Sequence, residues 1–338
     1  MKVHPRQMFS ALLFAFASLS FAQVNPSAKN ASAIVLQAFE THDIVMLGEI
    51  HWNKQEYEWL QSLVANPEFA DRVDDIVMEF GNSLYQKSVD RYIAGEAVPI
   101  EEVQRAWRNV IGLGPPPPIY GELYKAVREM NLRRRGKHQM RVLCGDPYIN
   151  WDKVKKQDDL GPFLGHRDQW YAQVVKDEVL AKHHSAFLIA GSAHFLRKQG
   201  NGYIEPELQR AGAKTFVILA GTNAVKGYDD LDHRFDSWVA PAIALLNGNW
   251  VGELLALPVI SGGTQEIDST LKLKDAADAL LYLGPRDTLI AVQASRKEVD
   301  GTPYGKELLR RMTSAKRLNS TSTRHLIPQL QVNSVGAH

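Results

Sequence analysis

The 338-residue sequence predicts an α/β fold: a mostly parallel central sheet, helices on both faces, and a polar site at the C-terminal ends of the strands. Two patterns lead there. Short apolar runs of four to six residues recur, each followed at once by a glycine or an acid. Helix-length amphipathic stretches separate them, the alternation expected of a covered parallel sheet. The runs are Asp43–Leu47, Asp75–Met78, Arg141–Cys144, Ala186–Ala190, Thr215–Ala220 and Ala279–Leu283. They lack polar alternation, as strands buried on both faces do. The stretches Gln55–Ala65, Ser83–Ala94, Ile100–Ile111, Tyr120–Arg134 and Gly165–His183 read as helices.

The N-terminus indicates compartment. Lys2 and Arg6 precede an apolar run, Met8–Ala22, which ends in Ser20-Phe21-Ala22. The run is short for a bilayer span, which needs roughly 20 residues. A secretory signal peptide over residues 1–22 is expected rather than a retained anchor, placing the protein in the periplasm or outside the cell. No cysteine follows the run to carry a lipid. Removing those 22 residues leaves 316, expected to form one α/β domain over 23–312, with a polar tail over 313–338 expected to be mobile. The leader holds two of the 39 basic residues and no acid, so 37 bases face 38 acids in the remainder. That balance gives no field for nucleic acid or an anionic membrane. No second long apolar segment suggests a membrane span.

Cys144 is the single cysteine and lies inside an apolar run, so burial rather than a disulfide must hold the core. Gly112–Pro118, with four consecutive prolines, must be a stiff loop, a connector or a wall beside the site. His183-His184 at a helix end and the acidic stretch Asp229–Asp236 read as solvated surface. No Gly-x-Ser-x-Gly elbow, phosphate-binding P-loop or His-Glu-x-x-His helix is present, which argues against serine hydrolases, nucleotide binders and common zinc peptidases.

In open parallel sheets, ligands bind beyond the carboxyl ends of the strands. Four predicted strands deliver titratable groups there: Gly48-Glu49-Ile50-His51, Glu79-Phe80-Gly81, Gly145-Asp146-Pro147 and Gly191-Ser192-Ala193-His194. The matched Gly-x-x-His spacing invites a pairing of His51 with His194. The glycines are expected to provide a sharp backbone turn. Taken singly, a strand-end histidine is more often an ordinary structural residue. Together, two imidazoles and a carboxylate suit a divalent metal with an open position, or a metal-free general base oriented by acids. Arg167 could reach an acid of the site or an anionic substrate group, and Asp168 could simply stabilise its helix start.

These segments resemble a superfamily that joins erythromycin esterases, TraB/Tiki proteins and ChaN-type haem-binding proteins. The likeness rests on Leu47-Gly48-Glu49-Ile50-His51, Val77-Met78-Glu79-Phe80, Arg167-Asp168-Gln169-x-x-Ala172 and Ala190-Gly191-Ser192-Ala193-His194, across about residues 43–195. It implies one pocket on an α/β fold. Tiki-type members imply a metal-dependent protease site at His51, His194 and Glu79. Erythromycin esterases imply lactone hydrolysis by histidine and glutamates, with a glutamate four residues after the histidine; here that position is Gln55, and Glu56 follows. ChaN-type members imply haem binding in iron uptake, at His51 and His194.

The expectation is therefore an exported hydrolase-like protein acting on a small molecule or peptide. His51, Glu79 and His194 would hold Mn or Zn, or activate water, with Glu49 as base or ligand. Asp146 would orient the site and Arg167 would clamp a developing oxyanion. The alternative is a haem carrier of ChaN type without turnover, and a third is a scaffold whose polar edge merely completes the fold.

Overall fold

A computed structural model of the chain describes residues 28–111, 114–197, 203–221, 233–256, 259 and 268–315. The leader, the start of the proline loop, the first half of the acidic stretch at 229–236 and the tail beyond 315 lie outside the described residues.

The expected α/β architecture is present. Eight strands form one sheet: β1 (Lys29–Asn30), β2 (Ile44–Glu49), β3 (Asp75–Asn82), β4 (Arg141–Asp146), β5 (Ala186–Gly191), β6 (Thr215–Ala220), β7 (Ala242–Leu245) and β8 (Ala279–Tyr282). Their order is β1-β7-β8-β6-β2-β5-β3-β4. The six strands read from the sequence run parallel in the sheet's body. The antiparallel edge made by β7 and β1 was not expected. Two residues of β1 and the Ala-rich β7 carry too little apolar pattern to stand out.

Successive strand residues point to opposite faces, and both faces are covered. Val45, Leu47, Ile76, Met78, Cys144 and Ile189 join one core with the helices Ala31–Ala38, Lys54–Val64 and Ile119–Arg133. Met46, Val77, Leu143, Leu188 and Leu219 join the other, with Arg167–Glu178 and Ile204–Arg210. Each fully buried side chain of this kind stabilises the fold by roughly 1.5–3 kcal/mol. Cys144, 1% exposed, is one of these packing groups, as expected.

The helices follow from local rules. Lys54–Val64 begins where the Asn53 side chain accepts a hydrogen bond from the Glu56 N–H, and it buries Tyr57, Leu60, Leu63 and Val64. The expected helix 165–183 is shorter: an α-helix over Arg167–Glu178, then a 3₁₀ turn over Leu180–Lys182. His183 closes it in the left-handed region at φ 57°. At the other end, a helix over Pro303–Ala315 runs three residues past the point where a mobile tail was expected. Among the described residues, no helix is long and apolar enough to cross a membrane.

Candidate functional site

Two adjacent parallel strands carry the two Gly-x-x-His segments. β2 and β5 pair in the centre of the sheet, with Gly48 opposite Ala190 and Glu49 opposite Gly191. The strand ends therefore bring His51 and His194 to one edge, with Glu79 arriving from β3 on the other side of β5.

The glycines work differently from expectation. Neither Gly48 nor Gly191 has a positive φ. Both are required by close approach instead. A Cβ on Gly48 would lie 2.9 Å from the Ser192 Cα, and one on Gly191 would lie 2.9 Å from the His51 Cε1 and Nε2. The strained residue is Trp52, at φ 69°, which turns the chain between His51 and the following helix.

Glu79 is the hub. One oxygen, Oε2, accepts the Gly191 N–H at 2.8 Å and stands 3.9 Å from the His51 Nε2. The other, Oε1, accepts from the Arg167 guanidinium at 2.9 Å and lies 3.4 Å from the His194 Nε2. Both imidazoles thus address one carboxylate, from different oxygens. Arg167 also donates from Nε to Asp146 at 2.8 Å, and Asp146 accepts the Ile111 N–H with its second oxygen at 2.8 Å. Arg167 is thereby committed to two acids, which recasts the expected oxyanion clamp as the group that fixes Glu79. Asp146 is linked to Glu79 through Arg167.

Each histidine has its own acid. His51 Nδ1 bonds Glu49 Oε1 at 2.7 Å, and His194 Nδ1 bonds Asp168 Oδ1 at 2.6 Å. Glu49 is 3% exposed, and the Tyr57 hydroxyl donates to its other oxygen. The Tyr120 hydroxyl lies 3.4 Å from Glu49 and its ring stacks on Phe80, which meets the His51 ring edge-to-face. The His51 side chain remains 43% exposed, so a ligand can reach it.

The charge pattern follows from these contacts. Burial disfavours the His51 imidazolium, but the Glu49 hydrogen bond and the charges of Glu79 and Glu49 outweigh it and raise its pKa to about 9. Burial acts likewise on His194, and the Glu79 charge and Asp168 hydrogen bond raise it to about 10. Glu79 resists its burial through the charges of His194 and Arg167, which hold it well below the usual carboxylate range. Behind the site, Glu56 is wholly buried, and burial plus the nearby Glu49 charge push it well above the carboxylate range. Its Oε2 accepts the Ile50 N–H at 2.8 Å. Burial and the Glu49 charge also raise Tyr57 and Tyr120, keeping both phenols neutral donors.

Glu49, His51 and Glu79 each offer one ligand atom, all within 4.8 Å of one another, a set that could hold a metal ion. The metal set expected from the sequence was His51, Glu79 and His194. In the structure Glu49 takes the third place, because His194 faces the Glu79 oxygen turned away from His51 and is tethered by Asp168.

Sequence reasoning assigned no role to Tyr57 or Tyr120 and read Asp168 as a helix-start charge. Tyr57 had one legible signal, since its place on the buried face of the helix after His51 points its hydroxyl toward the end of β2. Tyr120 had none, because it arrives from a helix 71 residues beyond Glu49.

Fold and site together define an α/β protein with a carboxylate–imidazole centre at the strand edge. No family model and no curated protein matches the chain. Solved structures similar to it include an erythromycin esterase mutant in its open conformation, at 11% identity and TM-score 0.48, covering 77% of this chain and 94% of that one. They also include ChaN of Campylobacter jejuni, solved with cofacial haem binding, at 14% identity and TM-score 0.37, covering 74% and 90%. A Bacillus cereus protein matches at 12% identity and TM-score 0.43, covering 74% and 90%. The first two are of kinds that the sequence motifs resemble.

Proposed function

We propose that the protein is an exported hydrolase that uses a divalent cation, Mn or Zn, held by Glu49, His51 and Glu79, and acts on a small molecule or peptide. The observation that carries this is the convergence of those three ligand atoms within 4.8 Å at the sheet edge. The donor set fits: one imidazole and two carboxylates suit borderline cations. His51 Nε2 stands 3.9 Å from Glu79, a separation that suits two metal–ligand bonds near 2 Å, and Glu49 would complete the set by exchanging its hydrogen bond to His51 Nδ1 for the cation.

Charge balance supports a cation over a metal-free histidine base. Four carboxylates (Glu49, Glu79, Asp146 and Asp168) surround one guanidinium, Arg167. Two protons on His51 and His194 offset two of the three excess negative charges, and both are held well above neutral pH. No neutral imidazole therefore stands ready near pH 7, whereas a dication would supply the same charge. When bound, such a cation polarises a carbonyl and acidifies water. The protein's own groups do the rest. Arg167 and Asp146 fix Glu79, while Tyr57 and Tyr120 fix Glu49. Asp168 orients His194, which keeps a proton to donate to a leaving group.

The test is metal analysis of protein purified without chelators, followed by calorimetric titration with Mn²⁺ and Zn²⁺. Near-stoichiometric binding, lost in both His51→Ala and Glu79→Gln and accompanied by hydrolysis of an ester or peptide panel, supports the reading. A Soret band on haem titration that His51→Ala abolishes, with no divalent binding, would replace it with the haem carrier. No binding of either kind, with a lowered melting temperature in both variants, would leave a structural role.

A further inference from the structure

Away from this centre, a cavity of about 640 Å³ opens between the helix Ile100–Arg108 and the helix Pro303–Ala315. None of its lining residues belongs to the carboxylate–imidazole cluster. Its size is that of a small-molecule site.

The inner groups are donors. The Arg311 guanidinium is nearly buried, with 8% of its side chain exposed, and lies over the Trp151 ring at 4.7 Å. Its donors are taken by Glu307, the Arg108 carbonyl and Asn109. Arg108 lies over the Tyr304 ring at 4.8 Å and is 19% exposed. It pairs with Glu298 through one nitrogen at 2.9 Å, leaving other donors of its fork for a ligand. Four acids also line the cavity: Glu101 and Asp152 are exposed at its rim, while Glu298 and Glu307, at 34% and 28% exposure, are both spent on these arginines or on Arg310.

Two groups are left over. The Tyr304 hydroxyl is screened from solvent and has no hydrogen-bond partner. Burial raises its pKa to about 12 against the pull of Arg311 and Arg108, so it stays a neutral donor at any physiological pH. A buried donor without an acceptor is costly and rare, and signals a missing partner. At the rim, Arg105 is exposed and makes no ion pair among the described residues. An orphan hydroxyl flanked by two guanidinium groups, with a third at the mouth, lacks an anionic oxygen.

We propose that this cavity is a second ligand site, which takes a small organic anion whose carboxylate or phosphate oxygens meet Arg108, Arg105 and the Tyr304 hydroxyl. Acceptors of that kind make the strongest hydrogen bonds with guanidinium and phenol donors. The site is independent of the metal reading, since it shares no residue with it.

Calorimetric titration of the whole protein with citrate and with inorganic phosphate, at ionic strength matched by NaCl, tests this. Glycerol serves as the uncharged control. Saturable binding of citrate or phosphate, absent for glycerol, is expected. Tyr304→Phe should weaken it about tenfold, the size of one charge-assisted hydrogen bond. It should not lower the melting temperature, because it removes an unsatisfied group. Arg105→Gln, an exposed change that leaves folding alone, should weaken binding as well. Citrate preferred over phosphate would identify a carboxylate ligand, and the reverse a phosphate ester. The proposal is overturned if neither anion binds below about 10 mM (about −2.7 kcal/mol). Unchanged affinity in both variants, or stabilisation that NaCl reproduces, would also overturn it.

Discussion

Replacing Gly191 by alanine isolates the geometry on which the site depends. The new Cβ would stand 2.9 Å from the His51 Cε1 and Nε2, and 3.6 Å from the Glu79 Oε2. Ordinary carbon contacts lie at about 3.5–4.0 Å, so the imidazole must retreat by about 0.5–1 Å. It can do so into solvent, being 43% exposed, and the fold should lose no more than about 1–2 kcal/mol. The His51–Glu79 separation is another matter. At 3.9 Å it already uses nearly all the reach of two bonds near 2 Å. Mn²⁺ or Zn²⁺ affinity should fall by about 10- to 100-fold, the range seen when the support of a metal ligand is lost. Calorimetry gives the affinity and urea unfolding gives the stability. Gly161→Ala is the control, since its Cβ would meet nothing within 4 Å and its φ of −49° suits any residue. Metal affinity in Gly191→Ala within about threefold of the parent protein (roughly 0.6 kcal/mol) would refute the assignment of His51 and Glu79 as paired ligands.

Two further outcomes follow from the charge pattern. Glu56 has a folded pKa raised above its unfolded one, so its share of stability is full below about pH 4.3 and is lost as pH rises through the folded value. Glu56→Gln keeps an acceptor for the Ile50 N–H and should melt a few degrees above the parent at pH 8, with the gap closing toward pH 4; a gap that does not vary with pH would count against a buried, protonated Glu56. His194 is likewise raised, and its contribution is complete below about pH 6.5 and lost as pH rises through about 10. Asp168→Asn removes one of the two acids behind that shift, so the His194 pKa followed by NMR should drop below about 9, and a value that stays near 10 would assign the whole effect to Glu79.

Much of the sheet could be read from local pattern. Thr215–Ala220 has the expected limits; β2, which starts one residue late, β4 and β5 run on into the Gly, Glu or Asp residues that follow them, β3 runs on to Asn82, and β8 stops one residue short. Doubly buried strands must be continuous apolar runs, and such runs are visible without any partner. The helix after His51 was equally plain, because its apolar residues recur on one face. The edge made by β1 and β7 was not, since two and four residues offer no period to recognise.

By itself, the sequence determined that Glu49, His51, Glu79, Asp146, Arg167 and His194 fall at strand or helix ends. That is a matter of spacing along the chain. The tertiary structure alone decided which of them meet. The strand order sets β5 between β2 and β3, and the pairing of Glu49 with Gly191 fixes the depth at which each strand ends. From that register come the choice of Glu49 over His194 beside His51 and Glu79, the commitment of Arg167 to two acids, and the reach of Tyr120 to Glu49. Contacts between side chains on separate strands depend on register and sheet order, and neither is written in any single segment.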